Sequence, residues 1–157
     1  MVLNCLTMNF LKTLTLLIPC LLGMSCAGIG FEKAWTEAVA EQKSGKNSGA
    51  VTGPWAGTWK TDNNGHEGKL RCLVTPSDSQ GAYDFRYHAT WFKILRGGYD
   101  ARFDVSKAGN GYAVEGKKNL GFFGEFEHSG RISGNRFDGT YSNEKGDVGS
   151  FQMTRPQ

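Results

Sequence analysis

Between Tyr83 and Trp91 every second residue is apolar or aromatic: Tyr83, Phe85, Tyr87, Ala89 and Trp91 alternate with Asp84, Arg86, His88 and Thr90. A period of two marks a strand with one buried face, because successive side chains leave a pleated backbone on opposite sides. The alternation returns at Tyr99, Ala101, Phe103 and Val105, set against Asp100, Arg102 and Asp104, and at Trp55, Gly57 and Trp59, set against Ala56, Thr58 and Lys60. Leu70, Cys72 and Val74 keep the same period, and further strands are predicted over 112–117, 122–128, 136–141 and 148–154. Turn clusters separate them at Asn63–Gly65, Ser77–Gly81, Arg96–Gly98, Ala108–Gly111, Ser133–Asn135 and Asn143–Gly146. Short glycine-bearing turns between alternating strands predict an antiparallel up-and-down meander.

About eight such strands, each with one apolar and one charged face, make the domain over residues 53–157 all-β and barrel-like. An eight-stranded barrel has an interior that side chains fill or that holds one small ligand. An open, strongly coiled sheet covered by a helix is the alternative. Composition sharpens this: the chain has 22 glycines in 157 residues, about twice the usual share of roughly 7%. Glycine inside a helix costs about 1 kcal/mol, so a helical bundle is excluded. Gly57, Gly116, Gly124, Gly139 and Gly149 fall among the inward aromatics, where they either let the sheet curve tightly around rings or leave room for a ligand. Trp55–Trp59 and Phe137–Tyr141 share the pattern aromatic-x-Gly-Thr-aromatic, a weak internal repeat.

The N-terminal part is organised differently. Lys12 precedes the apolar stretch Leu14–Leu22, and small residues follow; this is the plan of a secretory signal over residues 1–26. The stretch is shorter than the roughly 20 residues a membrane-spanning helix needs. Met8 is a more conventional start than Met1. Leu22-Gly23-Met24-Ser25-Cys26 resembles a bacterial lipobox, which predicts lipidation of Cys26 and a membrane partner reached through that lipid. Cleavage after Ala27 is the competing expectation. The chain is thus expected to be exported, as a periplasmic or outer-membrane-associated lipoprotein or as a soluble periplasmic or secreted protein. Phe31, Trp35, Ala38 and Val39 recur at helical spacing and predict one short helix over 27–42, docked on the main domain or on a membrane. Residues 43–52 read as a linker.

Candidate chemistry is sparse. Only Cys72 remains in the barrel segment, so no internal disulfide forms there, and its alternation with Leu70 and Val74 makes it a small core hydrophobe. The net charge of +3 is interspersed, with no basic run longer than Lys117-Lys118; a nucleic-acid partner is disfavoured. His66, His88 and His128 are too scattered for metal-ligand pairs, so neither a metal nor a cofactor is expected. Glu125 and Glu127 share a strand face opposite Phe126 and His128 and are expected to be solvated. Asp84, Arg86 and His88 face Asp100, Arg102 and Asp104 as a charge ladder that fixes register. No catalytic set is assigned.

Two features point to binding. Trp55, Trp59, Tyr83, Phe85, Tyr87, Trp91 and Phe103 would line a pocket for a small apolar or amphipathic ligand, and His66, at the tip of the Asn64–Cys72 turn and strand, would join Tyr141 or Asp147 at a barrel mouth. A dry, filled core is the competing expectation for the same aromatics, with the protein then acting as a structural or protein-interaction module of the envelope. A hydrolase with an unrecognised site is the third.

The opening Gly53-Pro54-Trp55, continued to Trp59, resembles the glycine-x-tryptophan start of lipocalin and avidin-like barrels, which implies a calycin-like fold. More closely, the chain is similar to uncharacterised exported bacterial proteins with a W-x-G-x-W opening, an N-G-H-x-G-x-L-R-C stretch and a G-x-F-x-M-x-R-P close, here Trp55–Trp59, Asn64–Cys72 and Gly149–Pro156. No activity comes with that resemblance.

Overall fold

Alternation along the chain is obeyed almost throughout, and it closes on itself. The structure, a computed structural model, describes residues 19–46, 49–91 and 95–157, except for the side chains of 19–29 and Trp91. Residues 1–18 of the predicted leader over 1–26 and the Cys26 side chain therefore lie outside the described residues. The chain divides into two compact units, Met1–Ala34 and Trp35–Gln157. Helix α1 runs Pro19–Lys43 and takes in the whole 27–42 segment. Within it Phe31 is buried, whereas Trp35, Ala38 and Val39 are half-buried.

The eight strands are β1 (Gly53–Thr61), β2 (Glu67–Pro76), β3 (Ala82–Trp91), β4 (Leu95–Ala108), β5 (Gly111–Asn119), β6 (Glu125–Ser133), β7 (Arg136–Asn143) and β8 (Val148–Thr154). Each pairs antiparallel with the next, and β1 also pairs with β8, so the sheet is a closed barrel rather than an open coiled sheet. Closure brings the first and last strands together, so neither is left as a sheet edge. The charge ladder holds the β3–β4 register: Arg102 grips Asp84 with two hydrogen bonds of 2.8 and 3.2 Å, and Arg86 lies 3.3 Å from Asp100.

Two local expectations are corrected. Phe122 and Phe123 do not open a strand; Gly121–Phe123 is a single 3-10 turn. Gly121 and Gly124 flank the rings at φ 62° and 91°, a left-handed conformation that interrupts extended backbone and that glycine adopts without steric cost. Arg96–Gly98 is not a turn either. These residues extend β4, pairing with Thr90, Ala89 and His88, and the bare Cα of Gly98 lets the Tyr87 carbonyl come close.

The inner face is built from aromatic rings laid against glycine. Trp59 stands opposite Gly68 in the β1–β2 register, Phe151 opposite Gly139 and Tyr141 opposite Gly149 in the β7–β8 register. A methyl group added at Gly139 would collide with the Phe151 ring, at Gly149 with Tyr141, and at Gly116 with Phe103; at Gly130 it would sit 2.8 Å from Phe137. The two glycines of the weak repeat both face β8. Gly57 pairs with Met153 from one side and Gly139 with Phe151 from the other. Two of the five do not face a ring: Gly124 caps the 3-10 turn, and Gly57 lies against the Gln152–Met153 backbone.

One layer of the interior is sealed. Trp55, Phe85 and Phe137 are 0% exposed, and Phe103, Ile132, Met153 and Val74 are at most 2%. Phe137 meets Trp55 and Phe151 edge-on, at 5.7 and 5.1 Å between centroids. Below this layer the 43–52 segment contributes to the fold: Arg155 stacks over Trp55 at 3.7 Å and donates to the carbonyls of Pro54, Gly49 and Ala50. Trp55 Nε1 donates to Val51 O at 3.0 Å. Residues 49–51 are thus tied across that end. On the outside, Arg71 lies over the Trp35 ring at 5.3 Å and reaches His88 Nδ1 at 3.4 Å, which explains why His88 is buried although it points away from the barrel interior.

Replacing Gly139 with Ala is expected to destabilise the protein by about 1–3 kcal/mol, the usual cost of overpacking. A urea titration measures it, and an unchanged midpoint would show that Phe151 does not need the bare backbone.

Candidate functional site

Away from the sealed layer, towards the turns at 62–66, 120–124 and 144–147, polar atoms enter the interior. Along β2 burial loosens from Cys72 to Leu70, along β3 from Phe85 to Ala89, and along β6 from Ile132 to His128 and Phe126. Tyr99 and Tyr141 are only half-buried. This upper half carries the hydroxyls of Tyr87, Tyr99 and Tyr141, the imidazole of His128 and the thiol of Cys72. Strand parity places them together: Tyr87 pairs with both Cys72 and Tyr99, and His128 pairs with Tyr141.

The rings form a continuous lining. Tyr87 and Tyr99 are 5.1 Å apart between centroids, and His128 lies 4.9 Å from Phe103, 6.2 Å from Tyr87 and 6.4 Å from Tyr141. Polar atoms at this end have partners within the fold. Tyr87 is hydrogen-bonded to Cys72, Tyr141 Oη donates to Lys60 O at 3.3 Å, and Trp59 Nε1 donates to Thr90 O at 3.1 Å. Tyr99 Oη and His128 Nε2 face each other at 3.5 Å. His128 Nδ1 is buried with no hydrogen-bond partner among the described residues.

Every one of these groups is uncharged at neutral pH. Burial pushes the Cys72 thiol and the Tyr87 and Tyr99 hydroxyls well above their ordinary values, and Tyr141 up to about 12. Burial also lowers His128 to about 4, because an imidazolium inside the barrel would lose its hydration. Lys118, half-buried opposite Phe126, stands at the rim. No group of three His, Cys, Asp or Glu residues gathers as a metal-holding set among the described residues.

The expected lining residues separate into three groups. Trp55, Phe85 and Phe103 lie in or beside the sealed layer, Tyr83 is half-buried at the lower rim beside Phe103, and Tyr87 and Trp59 reach the upper half. The Trp91 side chain is outside the described residues. His66 is exposed on its turn, with its carbonyl accepting from Thr61 N at 2.8 Å and its amide donating to Asn64 Oδ1 at 3.0 Å. The histidine inside the barrel is His128. Its parity with Phe126 was the available signal, and Tyr99 was legible in the same way from its alternation with Ala101 and Phe103.

Stability is expected to fall as acid reaches His128. Its folded value of about 4 is below the ordinary histidine value of 6.5, so the unfolded chain binds the extra proton first. The contribution is complete above pH 6.5 and is lost progressively as pH falls towards 4, by roughly 3 kcal/mol in total. Melting temperatures over that window measure it, and His128→Phe is expected to flatten the dependence.

No protein-family model matches the chain, and no curated protein matches it. Among solved structures, a redesigned β-barrel is similar, with a TM-score of 0.52 and 14% identity over 69% of this chain and 93% of that one. That likeness concerns the fold alone, a β-barrel.

Proposed function

We propose that this barrel is a non-enzymatic binding module of the bacterial cell envelope, exported and held to a membrane by a lipid on Cys26. Its upper half would hold one small apolar or amphipathic molecule. The observation that carries this reading is the uneven interior: a fully buried aromatic floor lies beneath half-buried Tyr99 and Tyr141 and a cluster of neutral polar groups. Ligand sites combine apolar walls with a few placed polar atoms in this way. Burial keeps the Cys72 thiol protonated, which disfavours nucleophilic chemistry there. A second reading, contact with a partner surface, is supported by Phe122 and Phe123, 89% and 67% exposed on the 3-10 turn.

Titration with the neutral fluorophore N-phenyl-1-naphthylamine is expected to give saturable enhancement. Ala89→Phe, which fills the upper half, should weaken it at least tenfold with the circular dichroism spectrum unchanged; a wild-type protein giving no response sinks the binding reading. The anchor is tested separately in a bacterial host. Labelled palmitate is expected in the wild type and not in Cys26→Ala, and unchanged membrane association of that variant overturns the anchor.

A further inference from the structure

We infer that the molecule held in the upper half is neutral and presents an acceptor oxygen, as in a ketone, ester or amide carbonyl, to the Nδ1–H of His128; this rests on the binding reading above. The side chain of His128 is more than nine-tenths buried, and Nδ1 has no partner among the described residues. Buried polar groups are almost always satisfied, so a group of this kind among the rings of Tyr87, Tyr99, Phe103 and Tyr141 marks a missing partner.

Which partner is set by the hydrogen-bond directions around it. Tyr141 Oη spends its proton on Lys60 O, and Tyr87 is paired with Cys72. Tyr99 Oη has His128 Nε2 as its neighbour at 3.5 Å, and a phenol donates to an imidazole nitrogen more readily than it accepts from one. With Nε2 accepting, the imidazole proton resides on Nδ1. The chamber therefore offers a donor, and the complementary ligand atom is an acceptor.

Charge decides between a carbonyl and a carboxylate. The groups facing His128 are Phe103, Tyr87, Tyr99 and Tyr141, none of them a cation, and the imidazole itself is held neutral. A carboxylate in this slot would lose its hydration without a counter-charge. The cation on the same strand face is Lys118, opposite Phe126 at the rim.

Acetophenone, ethylbenzene and benzoate, competed against N-phenyl-1-naphthylamine on the purified full chain, separate the alternatives. In an apolar slot without a donor, the ketone binds more weakly than the hydrocarbon because it gives up hydration. The sign of the difference is therefore diagnostic. The expected result is acetophenone tighter than ethylbenzene by about tenfold, equivalent to ~1.4 kcal/mol, with the order reversed in His128→Phe and ethylbenzene changed less than about twofold. Should that variant misfold, the ¹⁵N-imidazole spectrum of the wild type serves instead: acetophenone should shift the His128 Nδ1–H resonance and ethylbenzene should not. Equal affinities in the wild type, or benzoate binding tightest, overturn the carbonyl assignment while leaving the binding reading intact, the latter result pointing to Lys118 as an anion anchor. Failure of the fluorophore and of every competitor removes both.

Discussion

An aromatic ring packed against a glycine backbone is the contact from which the rest of this barrel follows. A strand loses stability by carrying glycine, which has more backbone freedom to lose and no side chain to pack. Here the vacant Cβ position is taken by the ring of a neighbouring strand, as with Phe151 at Gly139 and Phe103 at Gly116. Burying such a ring contributes about 1.5–3 kcal/mol, enough to offset the glycine. The exchange also lets large rings from opposite walls share a narrow interior.

That packing differentiates the two ends. Where Trp55, Phe85 and Phe137 interlock, no water reaches, and Arg155 can be held over Trp55 with its guanidinium directed at backbone carbonyls. Burial at that position lowers the Arg155 value to about 10, the cost of holding a cation there, and the three carbonyls and the indole face compensate it. At the other end the rings carry hydroxyls and an imidazole, all neutral because the same burial penalises their charged forms. One end is a plug. The other is less tightly sealed, and its polarity comes from dipoles without net charge.

Strand parity made much of this readable in advance. The inward set of β3 and β4 followed from alternation alone, and so did the charge ladder that pairs Asp84 with Arg102. Where prediction and structure part, glycine is usually involved, because its two uses look identical in sequence. Gly97 and Gly98 continue a strand, whereas Gly121 and Gly124 end one by adopting positive φ. The two histidines differ for a related reason: His66 is exposed on its turn and His128 is buried inside the barrel. A histidine in a turn invites a functional reading, while one that alternates with phenylalanine looks like packing, and only closure of the barrel brings it beside three tyrosines from other strands.

The sequence by itself determined the period, hence the strands, their faces and the antiparallel order, since those depend on contacts between residues close along the chain. It also carried the amphipathic helix and the aromatic inner face. Closure of β1 onto β8, the role of the strand glycines as seats for rings, and the gathering of His128, Tyr87, Tyr99 and Tyr141 were decided by tertiary structure. Each of these depends on which residues meet across strands distant in sequence, and alternation specifies a face without specifying the partner.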